Sequence, residues 1–347
     1  MADEDRGKNA EDNVGAGASP ASDSPVVPDP IGELAGKPLI ISVQHFCLHD
    51  GPGIRSLVFF KGCPLRCAWC QNPETWRAQA EIAFKAHLCI GCGTCVDACP
   101  HGALAEIGRR DAERCRLCFT CTEACPSEAL HRFGLPLSVE DVLARLRPEF
   151  PLFKTSGGGV TLSGGEPSLF PGFATALATA LRAEDVHVAM ETSGRFSPYR
   201  TAQLLRHLDL LLYDVKVFDD GLHQKLCGAS NERIKANLRE LAAAAKGDEV
   251  PALWPRLPLI PDMTDARENL LDWAAFLLKL GIDSLTLIPY HRLGASKRGW
   301  LGLEAEPDIS ELSDSRIEYA RALLADAGLR VFMPGEEKWD GLQPGPA

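Results

Sequence analysis

The 347-residue chain carries 36 Lys and Arg against 47 Asp and Glu, a formal charge of −11, and 45% of its residues are hydrophobic. That balance excludes a basic nucleic-acid footprint and leaves enough apolar material for one large core with a smaller module beside it. The longest apolar stretch, residues 270–290, is broken by Asp272, Lys279 and Asp283 and so does not read as a membrane span.

In chain order, residues 1–37 combine Asp, Glu, Asn, Gly, Ser and Pro without an aromatic residue, a composition that predicts a disordered acidic tail. This polar start has no apolar signal region, so thirteen cysteines point to the reducing cytoplasm rather than to disulfides. From Leu39 onward, β-branched and aromatic runs alternate with helical patterns. Strands are expected at residues 57–60, 159–162, 186–190, 210–215, 253–260, 284–288 and 330–332. Helices are expected at 139–147, 173–182, 201–207, 232–246, 267–280 and 313–327, several opened by Ser, Thr or Asp. The alternation predicts an α/β fold of the partial (β/α)6 TIM-like kind around a parallel sheet. Ligands of such sheets sit at the carboxyl ends of the strands. Five motifs fall at those ends: Cys63 after the first strand, Ser163-Gly-Gly-Glu-Pro167 after the second, Glu191-Thr-Ser-Gly194 after the third, Asp214-Val-Lys216 at the fourth, and Pro289-Tyr-His291 after the sixth.

The cysteines divide the chemistry. Cys63, Cys67 and Cys70 supply three thiolates where a cubane iron-sulfur cluster takes four, which leaves one iron open. Cys89, Cys92, Cys95 and Cys99, then Cys115, Cys118, Cys121 and Cys125, repeat the bacterial ferredoxin spacing twice, each run closing on Cys-Pro. Zinc is the competing reading of Cys-x-x-Cys pairs, and the two terminal prolines weigh against it. Cys47 and Cys227 remain over, and are expected to be buried, inert thiols.

An open iron offers room for an amino nitrogen and a carboxylate oxygen, the geometry of the methionyl end of S-adenosylmethionine. The triad with Trp69 before its last cysteine resembles the radical S-adenosylmethionine (SAM) superfamily. The resemblance implies one-electron cleavage of SAM to methionine and a 5′-deoxyadenosyl radical. It assigns cofactor contacts to Trp69, Cys70, Gln71, Gly164, Gly165, Glu166, Glu191, Thr192, Asp214, Val215, Lys216, Arg256 and His291. In this assignment the two glycines let backbone approach the ligand, and Glu166 accepts from the methionyl ammonium. On the residues alone, Gly-Gly-Glu-Pro also suits a tight turn, Asp214 with Lys216 a structural ion pair, and His291 a satisfied structural histidine.

Longer strings narrow the resemblance: His49-Asp-Gly-Pro-Gly-Ile-Arg55, residues 59–74 around the triad, residues 157–167, and Arg256-Leu-Pro-Leu-Ile-Pro261. Together they resemble glycyl-radical enzyme activating proteins of the type with an inserted two-cluster ferredoxin-like domain. The implied layout is a radical SAM partial barrel at 38–80 and 134–347, interrupted at 81–133 by the insert. The implied function is removal of an α-hydrogen from a glycine of a partner glycyl-radical enzyme, with three 4Fe-4S clusters, SAM, and a flavodoxin or ferredoxin as electron donor. Ferredoxin-like crossing would join Cys89, Cys92 and Cys95 with Cys125, and Cys115, Cys118 and Cys121 with Cys99. The extra clusters then either relay electrons or serve docking and stability. No nucleic-acid or membrane partner is expected, and partner specificity is expected in residues 300–311 and 336–347. Two departures stand out: Asp262-Met-Thr-Asp265 replaces the family's Gly-x-Asn-Asp, and Gln71 stands where many relatives carry His. The alternatives are a radical SAM enzyme acting on a small molecule or another peptide, and a plain iron-sulfur electron carrier.

Overall fold

A computed structural model describes residues 37–245, 250–305 and 307–337. The expected tail up to Gly36 and the last ten residues of the expected specificity segment lie outside them. The strands are β1 (Ile40–Cys47), β2 (Arg55–Phe60), β3 (Glu81–Phe84), β4 (Leu104–Glu106), β5 (Arg109–Arg110), β6 (Leu130–Phe133), β7 (Gly159–Gly164), β8 (His187–Thr192), β9 (Leu210–Asp214), β10 (Ala252–Leu259), β11 (Ser284–Pro289) and β12 (Arg330–Phe332).

Eight of them form one sheet in the order β1-β2-β7-β8-β9-β10-β11-β12. Every neighbouring pair from β2 to β12 is parallel, as the strand-helix alternation requires. The expectation of a wholly parallel sheet needs one correction, because β1 pairs antiparallel with β2, Val43 opposite Val58. This strand is not among those expected from the sequence: its largely apolar start, Ile40 to Val43, runs into Gln44, His45 and Phe46, which face water, so it has no continuous buried run of the kind that marks the parallel strands. Among the described residues β1 and β12 do not pair, so the sheet stays open at its two ends.

One face of the sheet carries Val58, Phe60, Leu162, Met190, Leu211, Leu257 and Leu287 into the main core, where helices cover them. Strand alternation turns Arg55, Thr161, Ser163, Glu191, Asp214 and Arg256 to the opposite, concave face. The covering helices include Val139–Leu146, opened by a Ser138/Asp141 capping box, and Pro171–Ala183, Glu232–Ala244, Arg267–Lys279 and Asp314–Asp326. Three further helices of six to eight residues, Phe150–Ser156, Asp220–Cys227 and Ala295–Trp300, are not among those expected from the sequence. None of the described helices is long and apolar enough to cross a membrane.

Residues 81–133 leave the sheet after β2 and build their own small assembly. β3 and β6 pair antiparallel, with Glu81 opposite Phe133, so the segment enters and leaves side by side. Ile82, Cys95, Leu104, Phe119, Cys121 and Leu130 form a separate buried cluster within it.

Candidate functional site

Cys63, Cys67 and Cys70 lie on the loop after β2, and the loop is held from several sides. Gly62 N donates to Thr75 O at 2.7 Å, Cys63 N to Trp76 O at 3.3 Å, and Cys70 N to Cys67 O at 3.0 Å. Arg66 donates to the carbonyls of Cys63 and Leu65, both at 2.7 Å, and its guanidinium lies over Trp76. Arg298 covers the same indole and donates to Ala68 O at 3.0 Å. Burial pushes the Cys70 thiol up to about 12 and the Cys63 thiol higher still, with Cys67 beside each adding to the effect. Sulfurs held dry and close together in this way suit a bound cation or cluster better than free thiolates.

Opposite the loop, the concave face carries a charged chain. Arg256 on β10 donates Nη1 to Glu191 on β8 at 2.6 Å, and Nη2 and Nε to Asp214 on β9 at 2.9 and 3.1 Å. Lys216 Nζ meets the other Asp214 oxygen at 3.2 Å. Ser163 donates to Glu191. Lys216 and Arg256 pull the Asp214 carboxyl below its ordinary range against the opposing effect of burial. Asp50, from the Asp-Gly-Pro-Gly-Ile-Arg string, reaches the same Glu191; burial, then Glu191, pushes it up to about 7, partly opposed by Arg256. Arg55 closes that string. Wholly buried, it donates to Thr161 Oγ1 and Val160 O at 2.6 Å and to Pro52 O at 3.1 Å.

Several residues expected to face a ligand have other occupations. Glu166 is wholly buried and accepts from Ser168 Oγ, Thr192 Oγ1, Ser193 N and Ser193 Oγ at 2.6 to 3.0 Å. Its carboxylate's hydrogen bonds in this structure all come from protein, the Thr192 hydroxyl among them. A side chain at Gly164 would strike the Phe60 backbone at 2.7 Å, and one at Gly165 would strike Gly62 O at 2.1 Å. These glycines therefore admit protein backbone, joining the end of β7 to the start of the cysteine loop. Val215 is buried in the main core, and its N–H donates to Arg256 O, so its side chain faces away from the mouth. His291 is exposed, and its carbonyl accepts from Gln71 at 3.1 Å. Trp69 is buried beside Cys67 and Tyr290.

Cys227 is buried as expected, but Cys47 is only half-buried, because it ends the solvent-facing strand β1. Trp300, expected to read a partner, stacks near His87 and Lys85 of residues 81–133. The altered loop at Asp262 turns through a left-handed residue, φ 60°, and is tied by Asp262 N, which donates to Asp265 Oδ1 at 2.7 Å, and by Ile260 N, which donates to Thr264 Oγ1 at 2.7 Å. Sequence reasoning missed Asn269, which accepts from Phe218 N and donates to Lys216 O and Thr264 O, fixing the backbone that carries Lys216. A buried Asn within an amphipathic helix gives no local signal.

Within residues 81–133, two solvent-open voids are ringed by cysteines. Cys89, Cys92, Cys95 and Cys125 line one of about 290 Å³. Cys99, Cys115, Cys118 and Cys121 line the other, of about 300 Å³, together with His101, Arg110 and Arg116. The sulfurs surround space rather than a point: among the described residues no three His, Cys, Asp or Glu groups close on a single-ion site.

The sequence model of the Radical SAM superfamily matches residues 57–274. The chain is 40% identical over 302 residues to the isethionate sulfite-lyase activating enzyme of Nitratidesulfovibrio vulgaris, covering 83% of this chain and 96% of the relative. It is 35% identical to the choline trimethylamine-lyase activating enzyme of Oleidesulfovibrio alaskensis, over 81% of this chain and 94% of that one. The benzylsuccinate synthase activating enzyme of Thauera aromatica is 36% identical, with 86% and 93% covered. Among solved structures, a domain of the pyruvate-formate lyase-activating enzyme from Bacteroides vulgatus aligns with 28% identity and a TM-score of 0.42, covering 51% of this chain and 99% of that one. Membership of the superfamily implies a 4Fe-4S cluster and SAM. At 35 to 40% identity over 81 to 86% of its length, the chain belongs to the glycyl-radical enzyme activating enzymes of the radical SAM superfamily.

Proposed function

We propose that Cys63, Cys67 and Cys70 hold the site cluster, and that SAM binds between this loop and the chain Glu191–Arg256–Asp214–Lys216. The observation that carries this reading is the meeting, at one end of the sheet, of three thiols, Cys67 buried and Cys63 and Cys70 half-buried, with fixed paired charges. A cluster and SAM held there would supply the one-electron cleavage and the hydrogen-atom abstraction that leave a radical on a partner's glycine. The protein's residues do the rest. Lys216 and Arg256 are pre-organised donors in a partly dry site, and Asp214 and Glu191 hold them in place before a ligand arrives. Glu166 and the two glycines fix the loops around the site instead of touching the cofactor through the carboxylate. Backbone groups of Gly164, Gly165, Gln71 and Val215, with the Trp69 and His291 flanks, line the same end.

The voids in residues 81–133 fit two further 4Fe-4S clusters with crossed ligation, since each is ringed by three cysteines of one run and the last of the other. Their chemistry is electron storage and transfer from a flavodoxin or ferredoxin. Arg110 and Arg116 beside exposed Cys118 suit the approach of an acidic carrier. The relatives serve partners as different as isethionate sulfite-lyase and benzylsuccinate synthase, so the partner's own substrate need not enter this site.

The test is anaerobic incubation of the reduced, reconstituted protein with SAM and a candidate partner. The expected result is 5′-deoxyadenosine together with a glycyl doublet in the partner's electron-spin spectrum. Failure to form 5′-deoxyadenosine would remove the reading. Replacing Cys92 and Cys118 with Ala should lower radical yield with the protein donor; an unchanged yield would assign the extra clusters to structure alone.

A further inference from the structure

Two guanidiniums meet on the cysteine loop, and neither has an acidic partner. Arg66, within the loop, donates Nη1 to Cys63 O and Leu65 O at 2.7 Å, and its Cζ lies 5.6 Å from the centre of the Trp76 ring. Arg298, from the helix Ala295–Trp300, donates Nη2 to Ala68 O at 3.0 Å and Nη1 to Glu304 O at 3.5 Å, with its Cζ 4.9 Å from the same ring centre. Arg298 is only 7% exposed, and its Nε is buried without a hydrogen-bond partner among the described residues. Both side chains donate to backbone carbonyls alone, and among the described residues neither forms an ion pair. The cations beside them are matched differently: Lys61 meets Glu81 and Lys297 meets Glu74, each at 2.6 Å. A buried charge without a counter-charge is costly, and a second like charge at the same indole adds to that cost.

We propose that Arg66 and Arg298 are positioning residues that supply the counter-charge for the cluster held by Cys63, Cys67 and Cys70, and so favour its reduced form. The inference rests on the reading of those three cysteines as the cluster ligands. Ligation takes the protons off the thiols, so loading brings to this loop the negative charge that the two guanidiniums lack. The carbonyls of Cys63, Leu65 and Ala68 fix both cations to the backbone between the first ligand and the third. Local charge is among the features that set an iron-sulfur potential, and a fixed cation in a dry setting gains more from each added electron than it would in water. Covering Trp76 needs no charge, since an apolar side chain would pack there without the cost of burying one. What distinguishes these two side chains is their positive charge, held where an anionic group belongs.

The experiment is an electron-spin-monitored redox titration of the reconstituted holoenzyme, following the cluster signal that changes on addition of SAM. Arg298→Gln removes the charge but keeps an amide donor, and should shift the midpoint to more negative potential. Arg298→Lys keeps the charge and should stay near wild type. Arg66→Gln, on the loop itself, should shift the midpoint in the same direction as Arg298→Gln. Anaerobic melting temperatures of the unloaded and loaded proteins give a second readout: loading should raise the melting temperature less in Arg298→Gln than in wild type, because only the wild type carries the unmatched charge before loading. A purely structural role would lower both melting temperatures alike in the Gln and Lys variants and leave the midpoint unmoved. Equal midpoints for wild type and both Gln variants, or equal shifts for Lys and Gln at residue 298, overturn the proposal alone. If no signal responds to SAM even in wild type, the reading of the three cysteines fails and takes the proposal with it.

Discussion

At the scale of single residues, the site is a matter of which carboxylates are free. Glu166 takes four donors from three residues and joins the turn after β7 to the end of β8. Glu166→Gln would set an amide N–H against those donors and should lower stability by roughly 2 kcal/mol, since hydrogen bonds to charged groups carry about 1.5 to 3. Thermal melts of the two proteins check this. Asp50 behaves differently. Its folded pKa is raised to about 7 by burial and by Glu191, so between the ordinary carboxylate range and pH 7 the folded state binds the proton more tightly than the unfolded state. Stability from this group is therefore greatest at low pH and is lost as pH rises through about 7. Asp50→Asn should remove that loss, so its melting temperature gains on wild type between pH 5 and pH 8. Parallel curves across that range would show that Asp50 does not titrate there.

At the scale of elements, the motif positions on the parallel strands were legible because motif and strand coincide. Asp214 ends β9, Glu191 lies near the end of β8, and the cysteine loop follows β2. Each is a short apolar run followed by polar residues, and that contrast survives in one dimension. Hidden from the sequence were the facings and partners set by neighbours far along the chain. Val215 and Glu166 sit in motif strings yet face inward, while Asn269 enters from a helix more than fifty residues after Lys216. Gly165 shows the same limit, since what its missing side chain makes room for is Gly62 O. Gly165→Ala would force that carbonyl away and shift the cysteine loop. We expect lower iron retention at the site and a loss of about 1 to 3 kcal/mol from overpacking. Normal iron content and melting temperature would show that the loop yields freely.

At the scale of the molecule, residues 81–133 are bound to the sheet by more than their two covalent junctions. The helix Ala295–Trp300 touches both bodies: Lys297 donates to Asn72 and Glu74 at 2.8 and 2.6 Å, and Trp300 lies near His87 and Lys85. Lys61 adds a second tie. Fully buried at the end of β2, it donates to Glu74 O at 2.5 Å and to Glu81 Oε2 at 2.6 Å.

Because β3 and β6 run side by side, the chain ends at 80 and 134 are neighbours, and excision with a short splice is geometrically simple. Lys61 makes that excision costly, since the cut takes away Glu81 and strands an ammonium in a dry interior. The spliced protein should lose about 3 to 5 kcal/mol, the usual penalty for one orphaned member of a buried pair, and Lys61→Met in the same background should restore most of it. Melting temperatures of the two spliced forms decide the matter, with equal values arguing against the lock. The insert is thus portable in outline yet keyed to its host, and a lineage that shed it would have to change residue 61 as well.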